Sequence, residues 1–166
     1  MWGSTTPNTA SECTWTNAPF NGESSSYNKT YFSDVKDTVC PNGILTKEYD
    51  AASHIMGGDW RMPTEAEFQE LLNGTTNEWI ADYKGTGVNG RKFTSKKDTS
   101  KYIFIPAAGS CDAGSVYNVG SYGYVWSSSL NASRPNFAWG LSFGSDRCLM
   151  YNSNRYNGQS VRGVRK

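Results

Sequence analysis

Between Trp139 and Tyr151 the chain alternates large apolar residues with small or polar ones, and that period of two strongly limits the local structures available. In Trp139-Gly140-Leu141-Ser142-Phe143-Gly144 the large apolar residues fall on every second position. A strand therefore places those three on one face and Gly140, Ser142 and Gly144 on the other. After the turn-prone Gly144-Ser145-Asp146 the alternation resumes, with Cys148 and Met150 on one side and Arg147, Leu149 and Tyr151 on the other. The segment reads as a hairpin with one face in the core and one displayed. It runs on into Tyr151-Asn152-Ser153-Asn154-Arg155-Tyr156-Asn157-Gly158. Tyrosine offers a large amphipathic contact at low rotamer cost, Asn and Ser give adaptable hydrogen bonds, and Arg supplies a planar fork, so this palette suits binding. Asn, Ser and Gly also make ordinary solvated turns, and composition alone leaves both readings open.

A chain of 166 residues can bury a core as a single domain without metal or disulfide support. Its net charge is only +1, and the basic residues are dispersed apart from Arg162, Arg165 and Lys166, so nucleic acid is not the expected partner. Charged residues make up only 19%, while Gly, Ser, Asn, Tyr and Trp are plentiful, a balance that fits extracellular display better than cytosolic enzymology. No apolar run approaches the roughly 20 residues that span a bilayer, and no basic segment followed by an apolar stretch opens the chain. Membrane insertion is not expected of this segment, and Met1 fits an expression start on a piece of a longer protein. Cys13, Cys40, Cys111 and Cys148 have no Cys-x-x-Cys spacing and His54 is the single histidine, which points to no metal and no cofactor. A Cys13–Cys40 disulfide is conceivable in an oxidising compartment, with free thiols as the default and Cys148 as a small core residue.

Residues Met1 to Gly43 read as long loops pinned by Trp15, Phe20, Tyr27, Tyr31 and Phe32. Asp50 is placed to cap a short helix over Ala51 to Met56, stopped by Gly57, and His54 is then simply a helix residue. The stretch Trp60 to Gly74 specifies a second helix. Thr64 and Glu67 form a capping box, and Met62 or Pro63 is placed to staple Phe68. Glu65, Glu67 and Glu70 lie in the first turns, where the helix dipole favours negative charge, so capping explains them better than acid–base catalysis. Segments 78–83, 90–94 and 101–106 read as strands, the last as a central one ended by Pro106. Trp126 is a core anchor followed by three serines that satisfy nearby backbone.

Gly57-Gly58-Asp59-Trp60-Arg61-Met62-Pro63-Thr64-Glu65-Ala66-Glu67-Phe68, Ile105-Pro106-Ala107-Ala108-Gly109, Trp126-Ser127-Ser128-Ser129 and the ending Gly158 to Arg165 together resemble the Fibrobacter succinogenes major paralogous domain. That family is a branch of the formylglycine-generating-enzyme-like, C-type-lectin-like superfamily, and the resemblance covers nearly the whole chain. It implies an α+β, C-type-lectin-like fold with two short helices, twisted antiparallel strands, long loops and termini near each other. Several members, notably in gut Bacteroidetes and their phages, resemble the target proteins of diversity-generating retroelements, which vary at their C-terminus by random replacement of template adenines. An AAC codon can then yield Asn, Ser, Tyr, Phe, Leu, Arg, Cys or Gly without a stop. The candidate variable, ligand-facing positions are Tyr122, Tyr124, Arg134, Asn136, Phe137, Gly140, Ser142, Gly144, Arg147, Leu149, Tyr151, Asn152, Ser153, Asn154, Tyr156 and Asn157. Trp126, Trp139, Leu141, Phe143, Met150 and Val161 would hold the scaffold.

The expected function is therefore a non-catalytic receptor-recognition or adhesin domain on a cell surface or phage virion, contacting a protein or glycan ligand. Three alternatives stand beside it. An oxidase like the formylglycine generators needs a pair of reactive cysteines near the C-terminal part of the domain, whereas Cys148 is followed five residues later by Ser153. A calcium-dependent lectin needs a dense oxygen-ligand cluster, and Asp146 is the only carboxylate after Asp112. An invariant surface domain is the third.

Overall fold

The computed structural model describes residues 1–20 and 36–165. Within them the chain is α+β, built from three antiparallel sheets and few helices. Both helices read from the sequence form. The first, α1 (Ala51–Met56), starts where the Asp50 carboxylate accepts the Ser53 amide at 2.8 Å, and it ends at Gly57, whose φ of 68° suits glycine. The same carboxylate accepts the Met62 amide at 2.8 and 3.0 Å and is almost fully buried, so one aspartate ties the start of α1 to the approach to the next helix.

That helix, α2 (Glu65–Gly74), opens with the capping box. Thr64 Oγ1 accepts the Glu67 amide at 3.2 Å while the Glu67 carboxylate accepts the Thr64 amide at 2.9 Å. Met62 and Phe68 belong to separate core clusters, so Met62 is not the staple. Arg61 closes the motif with a two-pronged pair to Glu67 at 2.7 and 2.5 Å. This pair, with the Thr64 bonds adding to it against partial burial, holds the Glu67 carboxyl down from 4.5 to about 2. A depressed folded-state value means the stabilisation is fully present above pH 4.5 and is lost as pH falls toward about 2. Both side chains are about a third exposed, so solvent screening limits the effect to roughly 1–2 kcal/mol. Comparing denaturation midpoints of the parent and Glu67→Gln across that window checks this. The difference should shrink at the acid end, and a constant difference would mean that the charge of Glu67 is not what stabilises.

Three strands follow. They are β1 (Thr75–Ile80), β2 (Gly90–Ser95) and β3 (Tyr102–Pro106), paired in that order. β1 starts directly from α2, earlier than the aromatic stretch suggests, and ends before the left-handed turn residues Asp82 and Lys84. The strand ended by Pro106 lies at the sheet edge, not at its centre, and β2 takes the central place. An edge accommodates proline because no ladder donor is needed on its open side. A small hairpin of β4 (Ser110–Asp112) and β5 (Ser115–Tyr117) turns through Ala113 and Gly114, both at positive φ.

The third sheet carries β6 (Gly123–Leu130), β7 (Phe137–Phe143) and β8 (Cys148–Asn154), with β7 in the middle. It has core on both faces. Val125, Leu141 and Phe143 pack with Phe68, Phe93 and Ile105, and Cys148 and Met150 lie against them. On the opposite face Trp126, Leu130 and Ala138 join Trp2, Leu45, Ala51, Ala52 and Met62. Trp2 is fully buried, its indole N–H donating to the Ser127 carbonyl at 2.9 Å. The serines after Trp126 act as read. Ser127 Oγ donates to the Trp139 carbonyl at 2.7 Å, and Ser129 Oγ accepts the Glu65 amide at 3.0 Å.

The N-terminal segment is pinned by rings, with Trp15 4.5 Å from Tyr156 and Phe20 edge-on to Tyr49 at 5.0 Å, but it is not loop throughout, since residues 36–39 are helical. Tyr27, Tyr31 and Phe32 lie outside the described residues. Two scaffold assignments need correction: Val161 is 40% exposed, and Trp139 is half-buried because the second cluster stops at Leu141 and Met150.

Candidate ligand-binding surface

The hairpin of β7 and β8 forms with the register that the alternation demands. Gly140 pairs with Tyr151 and Ser142 with Leu149, while Tyr124 of β6 pairs with Ser142 from the other side. Directly paired residues of antiparallel strands project to the same face. Tyr124, Ser142 and Leu149 thus form one row across the sheet, and Gly140 and Tyr151 belong to the next.

This face is divided along its length. Trp126, Leu130 and Ala138 are covered by the first core cluster, and the end near the 144–147 turn lies beyond that cover. There Leu149 is 40% and Tyr151 48% exposed, Tyr122 and Tyr124 are half-buried, and Arg147 is exposed. The Tyr122 and Tyr124 rings lie 6.3 Å apart and nearly parallel, and the Arg147 guanidinium sits 5.1 Å from the Tyr122 ring centre. The result is a contiguous patch of three tyrosines, an arginine and a leucine.

Its floor differs from the sequence reading. Gly140, Ser142 and Gly144 point to this face but are buried, not displayed. A Cβ on Gly140 would stand 2.6 Å from the Val125 carbonyl oxygen and 3.5 Å from the Gln159 side chain. A Cβ on Gly144 would meet the Tyr122 ring at 2.6 Å. The segment after Gly158 runs beside β6, with Trp126 N–H donating to the Ser160 carbonyl at 2.9 Å, and this brings Gln159 over Gly140. Nothing in the alternation reveals that cover, because Gln159 reaches Gly140 only through the tertiary path of the chain.

The turn is braced from below. Gly144 N–H donates to the Arg147 carbonyl at 2.9 Å. From the first sheet, Arg91 donates to the Arg147 carbonyl at 3.0 Å and to that of Gly144, with its Nε on Asn77 Oδ1 at 2.7 Å. Arg91 is a positioning residue that sequence reading passed over as a strand cation.

The other candidates lie elsewhere. Phe137, Asn152 and Asn154 are on the opposite face, since Phe137 pairs with Asn154 and alternates in phase with Leu141. Arg134 stacks on Phe137 at 4.3 Å, so Arg134, Phe137, Asn152 and Asn154 form a second group, while the Asn136 carbonyl accepts the Arg155 amide at 3.0 Å. Ser153 faces the first patch's side but pairs with the buried Ala138, away from the tyrosines. Tyr156 packs on Trp15, and burial together with a bond to Asp112 raises its hydroxyl pKa. Asn157 closes a turn onto Asn154. The sixteen positions therefore do not make one surface. Arg155, amid the same polar run, is fully buried, its Nε on the Pro135 carbonyl at 2.8 Å and its Nη1 on that of Pro19 at 3.0 Å.

Burial pushes the Cys148 thiol up to about 11, which disfavours its nucleophilic thiolate near neutrality. Among the described residues no three His, Cys, Asp or Glu side chains converge as a metal would require, and no helix is long and apolar enough to cross a membrane. No family model, curated protein or solved structure matches the chain.

Proposed function

We propose that this chain is a ligand-binding module of C-type-lectin-like fold, a single domain that holds a protein or glycan on the patch of Tyr122, Tyr124, Arg147, Leu149 and Tyr151. The observation that carries this reading is the contrast between the exposed or half-buried, paratope-like side chains and the buried small residues beneath them. The rows can change their outer side chains while the core face of Val125, Leu141 and Phe143 stays constant. That is the physical requirement for a surface diversified by a retroelement, and it suits an adhesin or receptor-recognition tip displayed outside a cell or on a virion. The protonated, half-buried Cys148 favours binding over thiol-based oxidation.

Two tests bear on it. The DNA around the reading frame should hold a reverse-transcriptase gene and a near-copy of the segment encoding residues 122–157 that differs at adenines. Differences falling on the codons of Trp126, Leu141 or Phe143 would defeat the diversified-surface reading. In binding to whole bacterial cells and to an arrayed glycan library, the Arg147→Ala/Tyr151→Ala double variant should lose at least about tenfold in affinity, with little change in melting midpoint. Undiminished binding by the folded double variant would place the ligand elsewhere.

A further inference from the structure

We propose that Cys13 and Cys111 are a disulfide-forming pair, a redox-controlled clasp between the N-terminal segment and the β4–β5 hairpin. The sulfurs are brought together across Gly158. A Cβ on that glycine would stand 2.6 Å from the Cys13 sulfur and would run into that of Cys111, so the missing side chain leaves the space both thiols occupy. The Cys13 thiol donates to the Thr9 carbonyl at 3.4 Å, which leaves its sulfur lone pairs open toward Cys111.

The backbone on every side is already held. Cys13 N–H donates to the Ala10 carbonyl at 3.1 Å, and Ala113 N–H to the Cys13 carbonyl at 3.0 Å. Cys111 and Gly158 exchange both backbone hydrogen bonds at 2.8 and 2.9 Å. Closing a bond between the sulfurs therefore needs side-chain rotation, not movement of strands. Cys40 lies in the core beside Trp2, Val39 and Leu45, and Cys148 lies against the second cluster. The Cys13–Cys40 pairing entertained from the sequence is replaced by one that spacing along the chain does not suggest.

The chemistry needs a co-reactant, a low-molecular-weight disulfide such as oxidised glutathione. Cys13 is fully buried and Cys111 only half so, which makes Cys111 the point of entry. The Cys111 thiolate attacks one glutathione sulfur, forming a mixed disulfide and expelling one glutathione thiolate. Cys13 then gives up its proton and attacks the Cys111 sulfur, forming the protein disulfide and expelling the second glutathione. Two protein thiols lose two electrons in all, one glutathione disulfide gains them, and the two protons leave on the released thiols. Burial, with the neighbouring Cys111 thiol adding to it, pushes Cys13 up to about 12, so the closing step quickens as pH rises.

The test incubates the full chain with oxidised glutathione at mildly alkaline pH, alkylates it while folded, and maps peptides without reduction. A Cys13–Cys111 peptide is expected, with Cys40 and Cys148 recovered as thiols. The Cys40→Ala/Cys148→Ala variant should still form the bond, which keeps the result independent of whether Cys13 or Cys111 variants fold. Oxidation should raise the melting midpoint by about 10 °C, because the bond closes a loop of nearly a hundred residues. A Cys13–Cys40 peptide, Cys111 trapped as its glutathione adduct in folded protein, or four unreacted thiols would each overturn the proposal.

Discussion

Placing a methyl group on Gly140 destabilises the protein by about 2–4 kcal/mol, whereas Leu149→Ser, one row away on the same face, costs under about 1 kcal/mol. The difference comes from what each position meets. A Cβ on Gly140 stands 2.6 Å from the carbonyl oxygen of Val125, an atom of the neighbouring strand's backbone that cannot rotate aside. Relief requires β6 and β7 to splay, weakening the ladder around Trp126 and disturbing the Gln159 side chain above. Leu149 is 40% exposed and can be exchanged without touching the ladder. Urea denaturation of Gly140→Ala and Leu149→Ser measures both. Equal midpoints would show that the floor of the patch tolerates side chains, and Gly140 would return to the set of diversifiable positions.

Trp2→Ala is the second large effect, at about 3–5 kcal/mol. The ring is fully buried among Val39, Leu45, Ala51, Met62, Trp126 and Ala138, so its removal opens a cavity between the N-terminal segment and the third sheet. It also leaves the Ser127 carbonyl without its indole donor. Trp2→Phe separates the two losses, because it keeps most of the apolar volume and sacrifices the hydrogen bond, at about 1–2 kcal/mol. Calorimetric or denaturant midpoints should rank parent above Phe above Ala. Loss of less than about 1 kcal/mol in Trp2→Ala would mean that the N-terminal segment docks without contributing to the core.

Elements governed by local rules were readable. Asp50, Thr64 and Glu67 cap their helices because an N-cap acts within three residues of chain. The β7–β8 hairpin and its register follow from alternation, since a slip by one residue would turn Leu141 and Phe143 outward. The β4–β5 hairpin escaped notice because strands of three residues are too short to show a period, and its turn is signalled only by Ala113-Gly114. Arg155 escaped because a polar run of Asn, Ser and Tyr gives no hint that one arginine turns inward to the Pro19 and Pro135 carbonyls.

The candidate surface divides the same way. Alternation assigned Gly140, Ser142, Leu149 and Tyr151 to a common face, and the pairing agrees. It could not say that the first two are roofed while the others stand clear. That depends on Gln159, on the Tyr122 ring over Gly144, and on the first core cluster covering only part of the face. The sequence by itself determined the helix starts, the hairpin, its register and the identity of the two faces, because each is specified by neighbours within a few residues. Which positions of a face reach solvent, which carbonyls Arg155 and Arg91 seize, and that Cys13 meets Cys111 were decided only by the tertiary structure. Each of these depends on segments tens of residues apart coming into contact, and no local period records that path.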